Sequence, residues 1–166
     1  MLNSCDLIAM TGGISHIMAS LQKSFALDQF ETASYLMKTL TNLANYRSPL
    51  IKLLFIELNY TEVALELVRL LFTNLLKLTD EGPLTKSCEH IDAALGAGLE
   101  LIKVVVGGGA SSVAGVSQNK IHLVEKTNFL LTCTKMLQAA LDSPAHATGT
   151  VISIFQLIEH LCGSAQ

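Results

Sequence analysis

Residues 59–78 read NYTEVALELVRLLFTNLLKL, and this stretch decides the fold class. Polar side chains recur in it at three- and four-residue steps, the spacing of one face of an α-helix. The positions on this polar stripe are Glu62, Glu66, Arg69, Thr73 and Lys77. Most of the others are Val, Ala, Leu or Phe. A helix that is apolar over most of its circumference is covered on more than one side, so the stretch predicts a helix inside a stack of helices.

Short signals mark helix boundaries before this stretch. Gly12-Gly13 separates a helix over about 4–10 from one over about 14–23. Asp28 is followed by a glutamate three residues later, which predicts a capping box at the start of a long amphipathic helix. Ser48-Pro49 predicts another start, and Asn59, again with a glutamate three residues on, predicts the N-cap of the deciding stretch.

The second half of the chain continues the same pattern. Helices are predicted over about 83–106, over 121–141 and from Asp142-Ser143-Pro144 to about Leu161. Residues 107–119 begin with three glycines and predict a flexible Gly/Ser-rich loop. No strand is predicted, and short turns between long helices favour antiparallel neighbours. The expectation is therefore one all-α domain over residues 1–166.

Composition limits the classes of function. Half of the 166 residues are apolar, but only 15% are charged, against roughly 25% in soluble domains. This low charge indicates either a well-buried domain or apolar surface that a partner or more of the same chain covers. The net charge is -3 and the cations are scattered, which argues against nucleic-acid binding. No membrane span is predicted, because glycines and polar residues interrupt the longest uncharged run.

The cysteines and the amino terminus indicate an intracellular protein, cytoplasmic or nuclear. The first residues have no basic segment and no long apolar core, so they predict no secretory signal. The four cysteines follow no framework spacing, which is typical of buried thiols in a reducing compartment. They are Cys5, Cys88, Cys133 and Cys162.

Two parts of the chain repeat one another. Residues 12–14 (GGI) precede a helical segment that ends in LTNLA at 40–44, and residues 49–51 (PLI) precede one that ends in FTNLL at 72–76. Asn42 and Asn74 therefore lie 32 residues apart, somewhat under an armadillo period of about 40. A third, weaker copy reads LTCT at 131–134, with a cysteine at the asparagine position.

This pattern resembles the armadillo repeat family, which is close to HEAT repeats. The best matches are Gly13, Ile14, Leu40, Asn42, Leu43 and Ala44. Asn74 and Leu75 match more loosely, and the resemblance covers roughly the first half of the chain, fading beyond Leu78. The glycine loop and the lost third asparagine depart from the family pattern.

The resemblance implies a right-handed superhelix whose third helices line a concave groove, here expected to be a segment of a longer solenoid. It also implies a non-enzymatic adaptor or scaffold in which Asn42 and Asn74 lie one repeat apart on one wall and bind the backbone of a partner peptide. An amide suits that role because it both accepts and donates hydrogen bonds. Lys38 and Asn45 lie on the polar side of the same helix and complete this predicted set. The groove could instead accept a helix on an apolar lane.

The last helix is a second candidate surface. Its apolar residues occur on more than one face, which predicts docking of a partner helix or of another copy through Ile154, Phe155 and Ile158. Ordinary core packing explains the same pattern. A related alternative is a free-standing bundle that forms a dimer through its apolar excess.

Catalysis has little support in the sequence. The enzyme alternative would build a helical active site around Cys88, His90 and His122. Zinc needs three or four ligands, and no second ligand pair stands out beside Cys88-Glu89-His90. No base, nucleophile and orienting group occur together. We therefore expect no catalytic residue, no metal and no cofactor, and we expect Cys133 to be a core thiol.

Overall fold

The structure is a computed structural model, and it describes residues 4–45, 49–80, 86–106, 125, 129–142 and 148–162. Within these ranges the chain forms eight α-helices and no strand, which confirms the predicted all-α class for this part. The helices are α1 (Ser4–Met10), α2 (Gly13–Ala26), α3 (Phe30–Asn45), α4 (Pro49–Glu57), α5 (Tyr60–Asp80), α6 (Lys86–Val106), α7 (Phe129–Asp142) and α8 (Thr148–Cys162).

Some sequence predictions fall outside these ranges. The Gly/Ser-rich loop at 107–119 and the cap residues Ser48, Ser143 and Pro144 are among them. Asp142 is described, and it is the last residue of α7.

Helix α6 is the centre of the packing. It lies against α3, α5 and α8, and its contacts with α3 are the most extensive between any two described helices. Among the described side chains of α6, the exposed ones form a narrow stripe at Glu89, Asp92, Ala93, Gly96 and Glu100. Most of its other described side chains lie in the core. A helix covered on three sides must be apolar around most of its circumference, and α6 is.

Gly98 allows the close approach of three helices. A Cβ atom at this position would lie 2.7 Å from Cγ2 of Val68 on α5 and 3.2 Å from Sδ of Met37 on α3. Both neighbours are fully buried. Because carbon atoms repel one another strongly inside about 3.0 Å, this packing requires a residue without a side chain.

The polar stripe predicted on α5 is confirmed. Glu62, Glu66, Arg69 and Lys77 are exposed, and Thr73 is half-buried. Most of the described apolar positions of α5 lie in the core, where the helix packs against α4, α6 and α7, while Leu70 is exposed.

Aromatic pairs stabilise two of the corners between helices. Phe25 and Phe30 meet edge to face at the α2–α3 corner, with ring centroids 5.9 Å apart. Phe55 and Tyr60 do the same at the α4–α5 corner, at 6.0 Å. The Tyr60 hydroxyl also donates a hydrogen bond to Oγ of Ser15, 2.9 Å away, which connects α5 to α2. Such aromatic pairs add about 0.5–1.5 kcal/mol beyond their burial.

The predicted break at Gly12-Gly13 is confirmed, and both glycines have a physical role there. Gly12 has φ 79°, a left-handed conformation that disfavours residues with a Cβ atom. A Cβ atom on Gly13 would lie 2.8 Å from the carbonyl oxygen of Ile8. Glycine is therefore favoured at position 12 by the backbone conformation and at position 13 by the lack of space.

The capping role predicted for Asp28 is wrong. Asp28 has φ 54° and lies just after α2 rather than at the start of α3. Its N–H donates to the carbonyl of Phe25, and the N–H of Gln29 donates to the carbonyl of Ser24. These two bonds form a Schellman motif, which places Asp28 at the position that glycine usually occupies.

Asn59 has the predicted place but an unusual conformation. It immediately precedes α5, and its carbonyl accepts a hydrogen bond from the N–H of Val63, 3.2 Å away. Its φ of 56° is left-handed, whereas the N-cap residue of a helix is usually extended. Asparagine tolerates this region better than most side chains do.

A bilayer-crossing helix would need greater length and higher hydropathy than any helix in the described ranges has.

Candidate functional site

A cleft of about 980 Å³ lies between α5 and α7. On the α5 side it is lined by Asn59, Glu62, Val63, Leu65, Glu66, Leu67, Arg69, Phe72, Thr73 and Lys77. On the α7 side it is lined by Leu131, Thr132, Lys135, Met136 and Ala139, and α2 adds Gln22. The two helices also pack against each other, so this cleft belongs to a contact between elements far apart in sequence.

The cleft is long and follows the axis of α5. Its lining runs from Asn59 to Lys77, which corresponds to roughly 27 Å at 1.5 Å per helical residue. The whole polar stripe of α5 faces it. A stripe that would otherwise be a solvated face therefore forms one wall of a groove.

The interior of the cleft is apolar and its margins are polar. Leu67, Phe72 and Met136 are buried at its floor, while Leu131 is 53% exposed at its edge. Charged and hydroxyl side chains flank these residues along both helices. An apolar floor with a polar rim is the usual composition of a surface that binds another protein segment.

One ion pair crosses the middle of the α5 wall. Nε and Nη2 of Arg69 both donate hydrogen bonds to the carboxylate of Glu66. This bond and the positive charge lower the pKa of Glu66, and the same bond raises the pKa of Arg69. Both side chains are about half exposed, so the pair adds only a few tenths of a kcal/mol to stability. Its main effect is to cancel two charges in the centre of the groove.

The remaining cations of the cleft are two lysines. Lys77 and Lys135 are exposed, and neither forms an ion pair with a side chain that the structure describes. Among the described side chains, the cleft thus presents two ammonium groups without counter-ions next to apolar surface.

The asparagines of the predicted armadillo groove lie on two helices that do not pack extensively against each other. Asn42 is exposed on α3, as are Lys38 and Asn45, while Asn74 is half-buried on α5. The helix packed most closely along α3 is α6, and α5 is not among the main neighbours of α3. The side chain of Asn42 has no hydrogen-bond partner in the described part of the chain. Lys38 lies with Nζ 5.5 Å from the ring centroid of Tyr35.

The last helix divides its predicted docking residues between core and surface. Ile154 is fully buried, together with Leu157, so it belongs to the core and not to an accessible surface. Phe155 is 56% exposed and Ile152 is 52% exposed, whereas Ile158 is partly buried against the core. Ile154 lies on the face of α8 that packs on α6 and α7. Ile152 and Phe155, three residues apart, lie on the outer face.

No described residues form a group that could hold a metal ion through three or more His, Cys, Asp or Glu side chains. Of the residues in the enzyme alternative, His90 is half-buried on α6. The side chains of Cys88 and His122 lie outside the described part.

Cys133 is a buried free thiol on α7, as predicted, and Cys5 is another. Burial raises the pKa of the Cys133 thiol to about 11, from an ordinary value of 9.0. Only the thiolate reacts readily, so Cys133 should resist alkylation in the native protein near neutral pH.

The raised pKa of Cys133 predicts a pH dependence of stability. Between pH 9 and about 11 the unfolded chain loses the thiol proton while the native chain keeps it. The free energy of unfolding should therefore be fully retained below pH 9 and then fall by about 1.4 kcal/mol per pH unit. Urea unfolding at pH 7, 9 and 10 measures this slope, and Cys133→Ala provides the control because it lacks the thiol. Equal slopes in the two proteins would contradict the prediction.

Comparison with protein-family models, with curated proteins and with solved structures finds no match for this chain. The armadillo resemblance therefore depends on the residues of the chain alone.

Proposed function

We propose that the chain is a non-enzymatic protein-interaction module, an adaptor or scaffold segment, that binds a helix of a partner protein in the α5–α7 cleft. The observation that supports this proposal is the shape of the cleft together with its apolar floor and charged rim. An amphipathic helix would place its apolar side on half-exposed Leu131 and on the partly buried Val63 and Ala139, and its polar flanks along the rim. The buried free thiols of Cys5 and Cys133 are consistent with an intracellular module.

We further propose an armadillo-like, right-handed superhelical arrangement, with the first six helices as two units of three. Contacts of first helix with first helix (α1 with α4) and third with third (α3 with α6) support it. Helix α7 contacts α5 and α8 contacts α6, as the second and third helices of a further unit would. Asn42 then belongs to a third helix and Asn74 to a second helix. The α5–α7 cleft lies between second helices, on a different face from the groove that the resemblance implies.

The test uses two adjacent leucines of α7. Leu131 lines the cleft and is 53% exposed, whereas Leu130 is 54% exposed and does not line it. Proteins retained from cell extract by the wild type, Leu131→Asp and Leu130→Asp are quantified by mass spectrometry, after circular dichroism has shown equal helicity. We expect a partner that the wild type and Leu130→Asp retain and Leu131→Asp loses.

Equal retention by both variants would contradict binding in the cleft. The variants Asn42→Ala and Phe155→Ala would then locate the binding surface on α3 or on α8.

A further inference from the structure

The structure indicates the chemistry of the partner helix as well as its binding place, if the proposed function holds. We infer that the segment bound in the α5–α7 cleft is an acidic amphipathic helix, whose carboxylates face Lys77 and Lys135 while its apolar side covers the floor.

The charge of the cleft is opposite to that of the chain. The net charge of the protein is -3, yet the lining contains three cations (Arg69, Lys77 and Lys135) and two carboxylates (Glu62 and Glu66). The pair between Glu66 and Arg69 removes one charge of each sign. What remains is Glu62 against two lysines without counter-ions in the described part of the chain.

The remaining charges are separated along the groove. Glu62 lies in the first turn of α5 and Lys77 in its last turn. Fifteen residues of helix separate them by roughly 22 Å, well beyond a screening length of about 8 Å at physiological salt. Glu62 therefore does not neutralise Lys77, whose charge has no partner among the described side chains.

The helix dipole explains only part of this pattern. Lys77 in the last turn of α5 and Glu62 in the first turn both stabilise this helix through its dipole. Their positions therefore need no ligand to explain them. Lys135 has no such role, since it lies in the middle of α7, and the last turn of α7 contains no basic residue. Its position on the second wall of the cleft provides independent support for an anionic ligand.

The apolar floor selects a protein helix over other polyanions. Half-exposed Leu131 and the partly buried Val63 and Ala139 gain from contact with an apolar side chain and offer nothing to a phosphate backbone. Nucleic acid also requires clustered cations, whereas the two lysines of the lining stand singly on two helices. The lysine stems can adapt their shape to a helix that carries acidic residues.

The probes are three fluorescein-labelled helical peptides of about 18 residues, roughly the length of the cleft. All share one leucine and alanine stripe, and their flanks contain glutamate, glutamine or lysine. Binding to the full chain is measured by fluorescence anisotropy at 0.05 and 0.15 M salt. We expect the glutamate peptide to bind at least tenfold more tightly than the lysine peptide, with weaker binding at the higher salt.

The variant Lys77→Glu/Lys135→Glu should bind the glutamate peptide at least tenfold more weakly than the wild type does, and it should bind the lysine peptide more tightly. Its matched control is Lys23→Glu/Lys38→Glu, which changes the net charge equally at exposed lysines outside the cleft. The affinity of the control variant for each peptide should stay within twofold of the affinity of the wild type.

Three results would overturn the inference: no binding of the glutamate peptide, no preference over the lysine peptide, or an equal loss in the control. A labelled DNA duplex that binds in place of the peptide, and is lost in Lys77→Glu/Lys135→Glu, would show a nucleic-acid site instead. The two proposals can fail separately. If Leu131→Asp no longer retains a partner from cell extract but the peptides show no charge preference, the cleft binds a protein whose helix is not acidic.

Discussion

Replacing Phe55 by alanine is expected to lower the free energy of unfolding by about 3–5 kcal/mol. Phe55 is 1% exposed on α4 and packs edge to face on Tyr60 at the start of α5. Its removal leaves a cavity and loosens the aromatic pair that closes this corner. Domains are typically stable by about 5–15 kcal/mol, so the variant should lose a large fraction of its stability. Urea unfolding followed by circular dichroism at 222 nm measures the change.

Phe155→Ala is the matched control for this prediction. The same side chain is lost from α8 at a position that is 56% exposed, so the change should stay within about 0.5 kcal/mol. Similar losses in both variants would contradict the burial of Phe55. The control also tests self-association, because sedimentation velocity would detect a dimer of the wild type that Phe155→Ala fails to form.

Replacing Gly98 by alanine should lower the free energy of unfolding by about 1–2 kcal/mol, although alanine favours a helix more than glycine by about 1 kcal/mol. The new Cβ atom meets Cγ2 of Val68 at 2.7 Å, and a β-branched side chain cannot easily turn away. Met37 can move more readily because its side chain is flexible. Either α5 or α6 must therefore shift, and the contact at the centre of the fold weakens.

Gly96→Ala is the matched control, two residues earlier on the same helix. Gly96 is exposed, and an added Cβ atom has no atom within 4 Å. This variant should gain about 0.5–1 kcal/mol through helix propensity alone. The difference between the two variants, about 1.5–3 kcal/mol, measures the packing cost at Gly98 with the propensity term removed. A Gly98→Ala protein as stable as Gly96→Ala would show that α6 does not approach Val68 this closely.

Only part of the α5–α7 cleft could be predicted from the sequence. The polar stripe of α5 and the polar positions Thr132 and Lys135 of α7 follow from helical periodicity. Nothing in either segment indicates that the two stripes border one cleft, because about fifty residues separate them along the chain. Ile154 illustrates the same limit of sequence-based prediction, because the sequence of an apolar helix does not show which of its faces packs on the core.

The sequence by itself determined the features that depend on neighbouring residues. These are the helical class, the break at Gly12-Gly13, the start at Pro49 and the exposed stripe of α5. Even here, Asp28 shows that one local pattern can serve two structures, since an aspartate beside a helix can either cap the next one or end the previous one.

Only the tertiary structure decided which helices meet. The repeat of Asn42 and Asn74 predicted that α3 and α5 line one wall of a groove. In the structure, α3 packs mainly on α6. Burial of apolar surface is non-directional, so a sequence shows that a face must be covered without showing by what. The choice among partners depends on shape, as at Gly98, where the absence of one side chain allows α6 to approach both Val68 and Met37.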